Sequence, residues 1–468
     1  MEHNTPFLKG LLEYARQKVY PFHTPGHKGG RGIPDGMADL LRVALTADVS
    51  LMNELDDIHY PVGLLKESQQ LAAKLYGADE SFFSVNGTTG AIHAMIIGCL
   101  DSGDKLLLPR NAHRSVHAAL VLSGIRPVYM HTGYDDDFAV IKQTDTISIE
   151  NAFTENHDIR AILLTSPDYY GCCADIKKAA DIAHANGAIC MVDEAHGPHL
   201  GFSDVLPSSA LLQGADIVTQ STHKIAGAMT QCSVLHAMNG NIDIERVRSA
   251  MSFLTTTSPN QILLASLDAA FGQLAKHGGQ MAEAAAEKAL YMRQQLKSLE
   301  WIRLFEPKMP HDITKVLMNF KNTAFTGFAV ADVLRESKIA VELADIHNIL
   351  YLVTYADDIS AIDKNFEVLK TLDRKGEDAN THISPPVCAN AFAMTPREVF
   401  YKKSEKVPLK NSAGRIASEE ITFYPPGIPA ILPGELISRE IMEYCTGYYL
   451  IAGDKEEKYI NVVKDEDR

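Results

Sequence analysis

Short apolar runs alternate with helical patterns between about residues 65 and 240, and this alternation restricts the fold more than any other feature of the sequence. A strand built from such runs buries both of its faces, as strands do in a parallel sheet that helices cover on both sides. The seven candidate strands are 81–85, 105–108, 127–130, 161–164, 189–192, 217–220 and 232–235. Helical patterns lie between several of them, at 90–100, 115–123 and 177–186. The sequence therefore predicts an α/β fold with a mostly parallel seven-stranded sheet in one large domain.

The second half of the chain predicts smaller α+β units. A long helical stretch at 258–299 is followed by a candidate strand at 314–320, a helix at 328–337 and a strand at 349–355. Residues 370–380 are polar and charged, which is typical of an exposed turn or a boundary, and the proline-rich residues 422–435 favour an extended segment. We expect four regions: an N-terminal arm at 1–60, a large domain at 61–290, a small α/β domain at 291–375 and a C-terminal domain at 376–468.

Charge and cysteine content restrict the partners and the compartment. Lysine and arginine number 44 against 59 acidic residues, and the formal net charge of −15 argues against non-specific binding to nucleic acid or to an anionic membrane. Seven cysteines, of which Cys172 and Cys173 are adjacent, indicate a reducing compartment rather than a disulfide framework. No secretory signal or membrane-spanning run is recognisable, so we expect a cytoplasmic protein.

Asn86-Gly87-Thr88-Thr89-Gly90 lies between a predicted strand and a predicted helix. Glycines let backbone N–H groups approach an anion, the helix dipole favours negative charge, and the hydroxyls of Thr88 and Thr89 add donors. The segment is therefore either a phosphate-binding turn or a tight turn with a threonine N-cap. It is not a nucleotide P-loop, because the chain contains no Gly-x-x-x-x-Gly-Lys-Ser/Thr pattern.

Two further polar groups follow predicted strands. Asp193-Glu194-Ala195-His196-Gly197 spells a helicase DEAH box, but no phosphate-binding lysine motif accompanies it. His196 and His199 lack partners at metal-ligand spacing, so no metal site is predicted. Ser221-Thr222-His223-Lys224 follows the run 217–220, and its lysine could be a surface charge, a phosphate clamp or a Schiff-base nucleophile.

These three groups share one explanation, because the carboxyl ends of parallel strands meet at one edge of a sheet. A phosphate-binding turn, a carboxylate and a lysine could together hold pyridoxal 5′-phosphate (PLP). Gly87, Asp193 and Lys224 follow one another in an order and at a spacing similar to those in the large domain of aspartate-aminotransferase-like enzymes.

The chain resembles the Orn/Lys/Arg decarboxylase family over about residues 5 to 440. The motifs that carry the resemblance are Thr24-Pro25-Gly26-His27-Lys28, Asn111-Ala112-His113-Arg114-Ser115, Asp193-Glu194-Ala195-His196-Gly197, Ser221-Thr222-His223-Lys224 and Tyr424-Pro425-Pro426-Gly427-Ile428-Pro429. The larger members begin with a receiver-like wing domain for which this chain has no room. It therefore looks like the short bacterial form, and the wing-mediated decamers of the larger enzymes are not expected.

The resemblance implies roles for the reactive residues. Lys224 would form the Schiff base with the cofactor, and His223 is the histidine that precedes it. Asp193 would pair with the pyridine nitrogen, and His113 would stack on the cofactor ring. After loss of CO₂, Lys224 or His223 would return a proton to Cα.

The resemblance also implies a set of cofactor contacts and a dimer. Gly87, Thr88, Thr89 and Ser221 would bind the phosphate, while Ala195 and His196 would lie on or beside the other face of the ring. Thr256, within the run 255–259, is similar to a segment that reaches the phosphate of a neighbouring subunit; the run could equally be the N-cap of the helix that begins near Asn260. If Thr256 does reach a neighbour, the active site requires a homodimer or a higher oligomer.

The implied activity is PLP-dependent decarboxylation of a basic amino acid, with arginine favoured over lysine and ornithine, for polyamine biosynthesis. Glu54, Asp56, Asp57 and Glu435 are candidates for binding the distal cation of the substrate, although each could be an ordinary structural carboxylate. An aminotransferase or lyase on the same scaffold would need an arginine for a second carboxylate, such as Arg397, Arg415 or Arg439. A non-catalytic regulator derived from a decarboxylase is the remaining alternative.

Overall fold

The computed structural model describes residues 16–17, 19–23, 25–28, 30–44, 48–49, 55–130, 132–372, 392–423, 428–451 and 456–467. The first elements are the short strand β1 (Tyr20–Phe22) and the helix α1 (Met37–Arg42). Within the predicted N-terminal arm, β1 pairs in parallel with a strand some 320 residues later, where Tyr20 lies opposite Ile339. The fully buried Phe22 ring packs edge-on against Tyr351 at 5.3 Å, and this burial holds the segment against the second domain.

The large domain contains the seven-stranded sheet that the sequence predicts. In chain order its region has the strands β2 (Glu80–Ser84), β3 (Lys105–Pro109), β4 (Arg126–Met130), β5 (Tyr134–Asp135), β6 (Val140–Ile141), β7 (Ile159–Thr165), β8 (Ile189–Asp193), β9 (Ile217–Gln220) and β10 (Ser233–Ala237). The order across the sheet is β2-β10-β9-β8-β7-β3-β4, and every neighbouring pair is parallel except those that β10 makes with β2 and β9. All seven predicted strands are confirmed.

Helices cover both faces of this sheet. They are α2 (Leu64–Tyr76), α3 (Gly87–Cys99), α4 (Arg114–Ser123), α5 (Thr146–Glu155), α6 (Ile176–Ala185), the single turn α7 (Thr222–Ile225) and α8 (Ile244–Leu254). Successive side chains of a strand point to opposite faces, so Met191 enters the hydrophobic cluster on one side of the sheet and Val192 the cluster on the other. This arrangement explains why the strands are apolar at successive positions.

A helix of 37 residues, α9 (Gln261–Lys297), leads from the large domain to a second sheet. The elements that follow along the chain are β11 (Arg303–Leu304), β12 (Lys315–Asn319), α10 (Gly327–Glu336), β13 (Ile339–Val341), β14 (Leu343–Ala344), β15 (Asn348–Leu352) and α11 (Ile359–Lys370). The sheet order is β11-β12-β15-β14, and its neighbours are antiparallel. The predicted long helix, the two strands and the shorter helix are all present, with ends displaced by a few residues.

The last region contains α12 (Pro396–Phe400), β16 (Ser404–Pro408), β17 (Ile421–Phe423), β18 (Ile428–Ile431), α13 (Arg439–Ile451) and β19 (Tyr459–Val463). The proline-rich segment is extended, since β17 pairs with β18 and Thr422 lies opposite Pro429. Most of the predicted polar turn at 370–380 and residues 424–427 of the proline-rich motif lie outside the described residues. None of the helices in the described ranges has the length and apolar character that a membrane crossing requires.

Candidate active site

The ends of two neighbouring strands place an acid and a lysine at one edge of the large sheet. β8 ends at Asp193, whose side chain is almost completely buried, and β9 leads through Ser221 into α7, which carries Lys224. The strands are parallel, so both side chains emerge at their common carboxyl edge. The Ser221 N–H donates to the Ala195 carbonyl at 3.3 Å, which joins the two loops.

Lys224 is held as an amine of reduced basicity. Desolvation lowers the pKa of its side chain, while the nearby carboxylates of Asp193 and Glu342 act in the opposite direction. A lowered pKa increases the fraction of the neutral, nucleophilic amine. His223, the preceding residue, has its pKa lowered to about 4, mainly by burial, and its Nδ1 lies 2.9 Å from the Cys232 carbonyl oxygen.

The His196 imidazole lies between two lysines. Its Nε2 is 3.0 Å from Lys224 Nζ, and its Nδ1 is 3.0 Å from Nζ of Lys315, the first residue of β12. His196 and Lys315 are both buried, and the Tyr169 ring packs against the imidazole with centroids 5.0 Å apart. Both ring nitrogens of His196 are therefore engaged by amines.

The predicted phosphate-binding turn forms the N-terminus of α3. Gly87 has a φ of +65°, and a Cβ on this residue would meet no atom within 4 Å, so the backbone is open to a ligand. The buried Thr88 hydroxyl contacts the Ser221 hydroxyl and lies 3.1 Å from that of Ser233, whereas Thr89 is exposed in the same first turn. No acidic side chain lies in this turn and the Asn86 side chain does not cap it, so its N–H groups and hydroxyls suit a phosphate.

His113 faces the acid and the lysine from the loop between β3 and α4. It is the N-cap of α4, and its Nδ1 lies 2.7 Å from the Ser115 hydroxyl. The side chain is exposed, but enough protein surrounds it for desolvation to lower its pKa, which Asp193 raises and Lys224 lowers further. Asp193 and Lys224 therefore both lie within electrostatic range of the His113 imidazole.

Residues 25–28, the described part of the N-terminal motif, lie against the loop that carries Lys224. The Gly26 N–H donates to the His223 carbonyl at 2.9 Å, and a Cβ on Gly26 would come within 2.4 Å of the Ile225 carbonyl oxygen. Lys28 is fully buried, and its Nζ donates to the Leu352 carbonyl at 2.8 Å. Residues 25–28 are therefore packed against the rest of the protein rather than solvated.

Thr256 is not joined to the other predicted site residues by any contact in the described part of this single chain. It is exposed in the loop between α8 and α9, where its carbonyl lies 3.2 Å from His59 Nε2. Asn260 caps α9 by accepting bonds from the Ile262 and Leu263 amides. The role of Thr256 toward a neighbouring subunit stays a prediction.

The three described candidates for the distal-cation pocket have partners within the chain. Asp56 accepts the backbone N–H groups of residues 57, 62, 63 and 65, and Asp57 accepts that of His59. The fully buried Glu435 binds Arg110. The remaining candidate, Glu54, lies outside the described residues.

The arginines that a second substrate carboxylate would require are engaged elsewhere or exposed. Arg397 donates to the Leu122 carbonyl at 3.1 Å. Arg415 donates to the Val463 carbonyl at 2.9 Å and pairs with Asp465, and Arg439 is exposed at the start of α13. None of them contacts the loop of Lys224.

Sequence reasoning missed three residues of this site: Lys315, Glu342 and Tyr169. Tyr169 donates to Glu342 at 2.8 Å, and Glu342 acts electrostatically on both Lys224 and Lys315. The available signal was a lysine at the start of the apolar run 315–320, since a charged residue inside such a run needs a partner.

Comparisons with known proteins identify relatives along almost the whole chain. The profile of the family described as Orn/Lys/Arg decarboxylase, major domain, matches residues 5–324, and that of its C-terminal domain matches residues 379–454. The chain is 39% identical over 456 residues to an arginine decarboxylase of Bacillus subtilis, covering 95% of this chain and 93% of that protein. It is 25% identical to the inducible lysine decarboxylase of Escherichia coli, covering 94% of this chain and 76% of the relative.

Solved structures share the fold. The constitutive lysine decarboxylase of Escherichia coli superimposes with a TM-score of 0.77 at 20% identity, covering 98% of this chain and 82% of that one. The lysine decarboxylase of Francisella novicida gives a TM-score of 0.80 at 20% identity, with coverage of 98% and 81%.

Proposed function

The chain belongs to the Orn/Lys/Arg decarboxylase family, whose members decarboxylate basic amino acids, and we propose that its substrate is arginine and its cofactor PLP. The observation that carries the proposal is the convergence of a partly buried lysine, a buried aspartate and an uncapped helix N-terminus at one edge of the sheet. Names of relatives support arginine, since the Bacillus subtilis and Bacillus anthracis proteins, at 39% and 37% identity, are both called arginine decarboxylase. Lysine and ornithine are the next candidates.

The residues present fit PLP. The first turn of α3 and the hydroxyls of Thr88, Thr89 and Ser221 would hold the phosphate, and the buried Asp193 would provide the negative charge beside the pyridine nitrogen. Lys224 would form the covalent bond to the aldehyde. When bound, PLP supplies an electron sink for the electron pair of the broken Cα–carboxylate bond.

The two candidates for returning a proton to Cα, Lys224 and His223, differ in their surroundings. At neutral pH the His223 imidazole is uncharged, since its pKa is about 4, and its Nδ1 lies against the Cys232 carbonyl, so the Nδ1 proton is committed. The free Lys224 amine has a lowered pKa, mainly because of desolvation, and lies within electrostatic range of Asp193. We therefore assign the return of a proton to Cα to Lys224. His113 would cover the ring beside these groups.

A homodimer belongs to the same proposal. Tyr60, Val62 and Leu64 are exposed apolar side chains, with Val62 88% exposed, and they follow His59, which contacts the Thr256 loop. A second copy that covers these side chains would bring the Thr256 loop to a subunit boundary. We further propose that the enzyme acts in the cytoplasm, where its product, agmatine, would enter polyamine synthesis.

Release of labelled CO₂ from carboxyl-labelled arginine, lysine and ornithine tests the proposal. We expect arginine to be decarboxylated with the highest kcat/KM, and Lys224→Ala to lose both turnover and covalent capture of PLP by borohydride. Lys224→Arg is the matched control, because it retains a long nitrogen-bearing side chain without a usable nucleophile, and it should lose turnover and covalent capture as well. Absence of CO₂ from all three amino acids would contradict the proposal, and keto-acid formation from them would identify an aminotransferase.

A further inference from the structure

Three nitrogen bases form a continuous chain at the boundary between the two sheets. Lys315 Nζ lies 3.0 Å from His196 Nδ1, and His196 Nε2 lies 3.0 Å from Lys224 Nζ. Lys315 is fully buried and His196 is 5% exposed. Water therefore cannot replace these contacts at low cost, and the hydrogen bonds along the chain must be satisfied internally.

The hydrogen-bonding capacity of these three bases limits the net charge that the side chains of Lys315, His196 and Lys224 can carry together. An ammonium group only donates, and a neutral imidazole carries one N–H and one acceptor nitrogen. Both contacts are satisfied with one positive charge in three ways: Lys315 is the cation, Lys224 is the cation, or a His196 imidazolium donates to two neutral amines. They are also satisfied when all three bases are neutral, since a neutral amine can donate, so the three side chains carry at most one positive charge. With both lysines protonated, one contact would place an N–H against a second donor.

Neighbouring charges favour Lys315 as the cation. Lys315 is faced by Asp312, Glu342 and Asp168, and the pKa of Asp312 is held low by His199 and Lys315 despite burial, so this carboxylate is ionised. Burial lowers the Lys315 pKa to about 8 and that of His196 well below its ordinary value. The titratable groups that act on Lys224 and His196 are Asp193, Glu342, His113 and His223. Those that act on Lys315 are Asp168, Glu342, His311 and Asp312.

We propose that Lys315 is a positioning residue that, through His196, keeps Lys224 uncharged and hands a proton to it during turnover. In the transfer Lys315 Nζ gives a proton to His196 Nδ1 while His196 Nε2 gives one to Lys224 Nζ. Lys315 becomes neutral, Lys224 becomes the ammonium, and the imidazole changes tautomer, so protons and charge balance. The inference rests on the proposed function only in taking Lys224 as the reactive amine.

Titration of Lys224 in the full-length protein freed of cofactor tests this chain directly. Competitive labelling with acetic anhydride across pH, read by mass spectrometry of the Lys224 peptide, gives the pKa of that amine. In Lys315→Met the single proton has only His196 and Lys224 to occupy, so the Lys224 pKa should rise by about one unit or more. In Lys315→Arg the cation is permanent, and the Lys224 pKa should stay at the wild-type value or fall.

A purely structural role of Lys315 would not raise the Lys224 pKa in Lys315→Met while leaving it unchanged or lower in Lys315→Arg. A rise in both, a fall in both, or no change in Lys315→Met overturns the proposal. Arg293→Lys is the matched control: Arg293 donates to the Lys315 carbonyl at 2.7 Å, so the variant loosens the same strand without removing a charge. It should lower Tm and leave the Lys224 titration unchanged.

The titration still tests the proposal if Lys315→Met does not fold or if the protein has no decarboxylase activity. If Lys315→Met does not fold, Lys315→Arg decides alone, because a raised Lys224 pKa in that variant contradicts the proposal. The titration requires no decarboxylation. A protein that shows the predicted shifts but releases no CO₂ from any basic amino acid would therefore retain the proton chain and refute the proposed function.

Discussion

Arg110 and Glu435 form a two-pronged ion pair that joins the loop after β3 to the C-terminal region. Arg110 Nη2 lies 2.7 Å from Glu435 Oε2, its Nη1 contacts the other carboxylate oxygen, and the guanidinium also donates to the Pro429 and Ala430 carbonyls. Glu435 is fully buried and accepts the Leu432 N–H as well. Because Arg110 precedes His113 by three residues, this pair fixes the base of the loop that carries His113.

Glu435→Gln should therefore destabilise the fold rather than alter substrate affinity. Removing one partner leaves a largely buried guanidinium uncompensated, and we expect a loss of about 2–3 kcal/mol in the free energy of unfolding, measured by urea denaturation. Asp181→Asn is the control, since it removes an exposed pair with Lys177 and should cost less than about 0.5 kcal/mol. Unchanged stability with a tenfold higher KM for arginine would instead place Glu435 in the distal-cation pocket.

Asp193→Asn should reduce turnover far more than it reduces cofactor capture. The variant keeps the shape of the buried side chain but removes the charge that is proposed to face the pyridine nitrogen, and we expect kcat to fall by about 10²–10³-fold. Capture of PLP by Lys224 should persist, as borohydride reduction and peptide mapping would show. A kcat within threefold of the wild-type value would contradict the assignment of Asp193.

The titration of Glu194 should lower the free energy of unfolding as the pH rises. Its buried carboxyl accepts the Ala210 N–H and the Gln220 amide at 2.7 Å each, and burial raises its pKa from 4.5 to about 8. Below pH 4.5 both states hold the proton. Between pH 4.5 and about pH 8 only the unfolded state releases the proton, so the contribution of Glu194 to the free energy of unfolding falls over this range. Above about pH 8 the carboxyl is ionised in both states, and its contribution is constant.

The difference in unfolding free energy between wild type and Glu194→Gln isolates this effect, since other groups titrate alike in both proteins. Glutamine carries no titratable proton, so the difference should shift in favour of the variant by about 3–4 kcal/mol between pH 4.5 and pH 8. Urea denaturation at half-unit pH intervals measures it. Parallel curves would show that Glu194 is ionised in the fold.

The strands of the large domain could be predicted from the sequence because they are buried on both faces. Each strand of the sheet is an apolar run, and parallel neighbours bring their carboxyl ends together, so Asp193 and Lys224 could be placed at one edge without any contact information. The Gly87 turn followed from the same reasoning, because its residue types suit an anion at a helix N-terminus.

Lys315 and the pairing of β1 could not be placed in this way. Lys315 begins a strand of the second sheet, whereas His196 lies 119 residues earlier in the loop after β8 of the large domain. Only the packing of the start of β12 against this loop brings them together. A lysine at the first position of an apolar run also fits a solvated strand end, so its burial is decided by tertiary structure. The same holds for Glu342, which follows β13.

Gly26→Ala tests the contact between the N-terminal segment and the loop that carries Lys224. An added Cβ would lie 2.4 Å from the Ile225 carbonyl oxygen, and that backbone cannot move without displacing α7, so we expect a loss of about 1–3 kcal/mol in stability together with a lower kcat. Gly272→Ala is the matched control, because a Cβ there meets nothing within 4 Å in the middle of α9 and should stabilise the protein by about 0.5–1 kcal/mol. Thermal unfolding and initial rates with arginine measure both effects. If Gly26→Ala retains the wild-type Tm and kcat, the segment does not support Lys224, and its burial serves only the second domain.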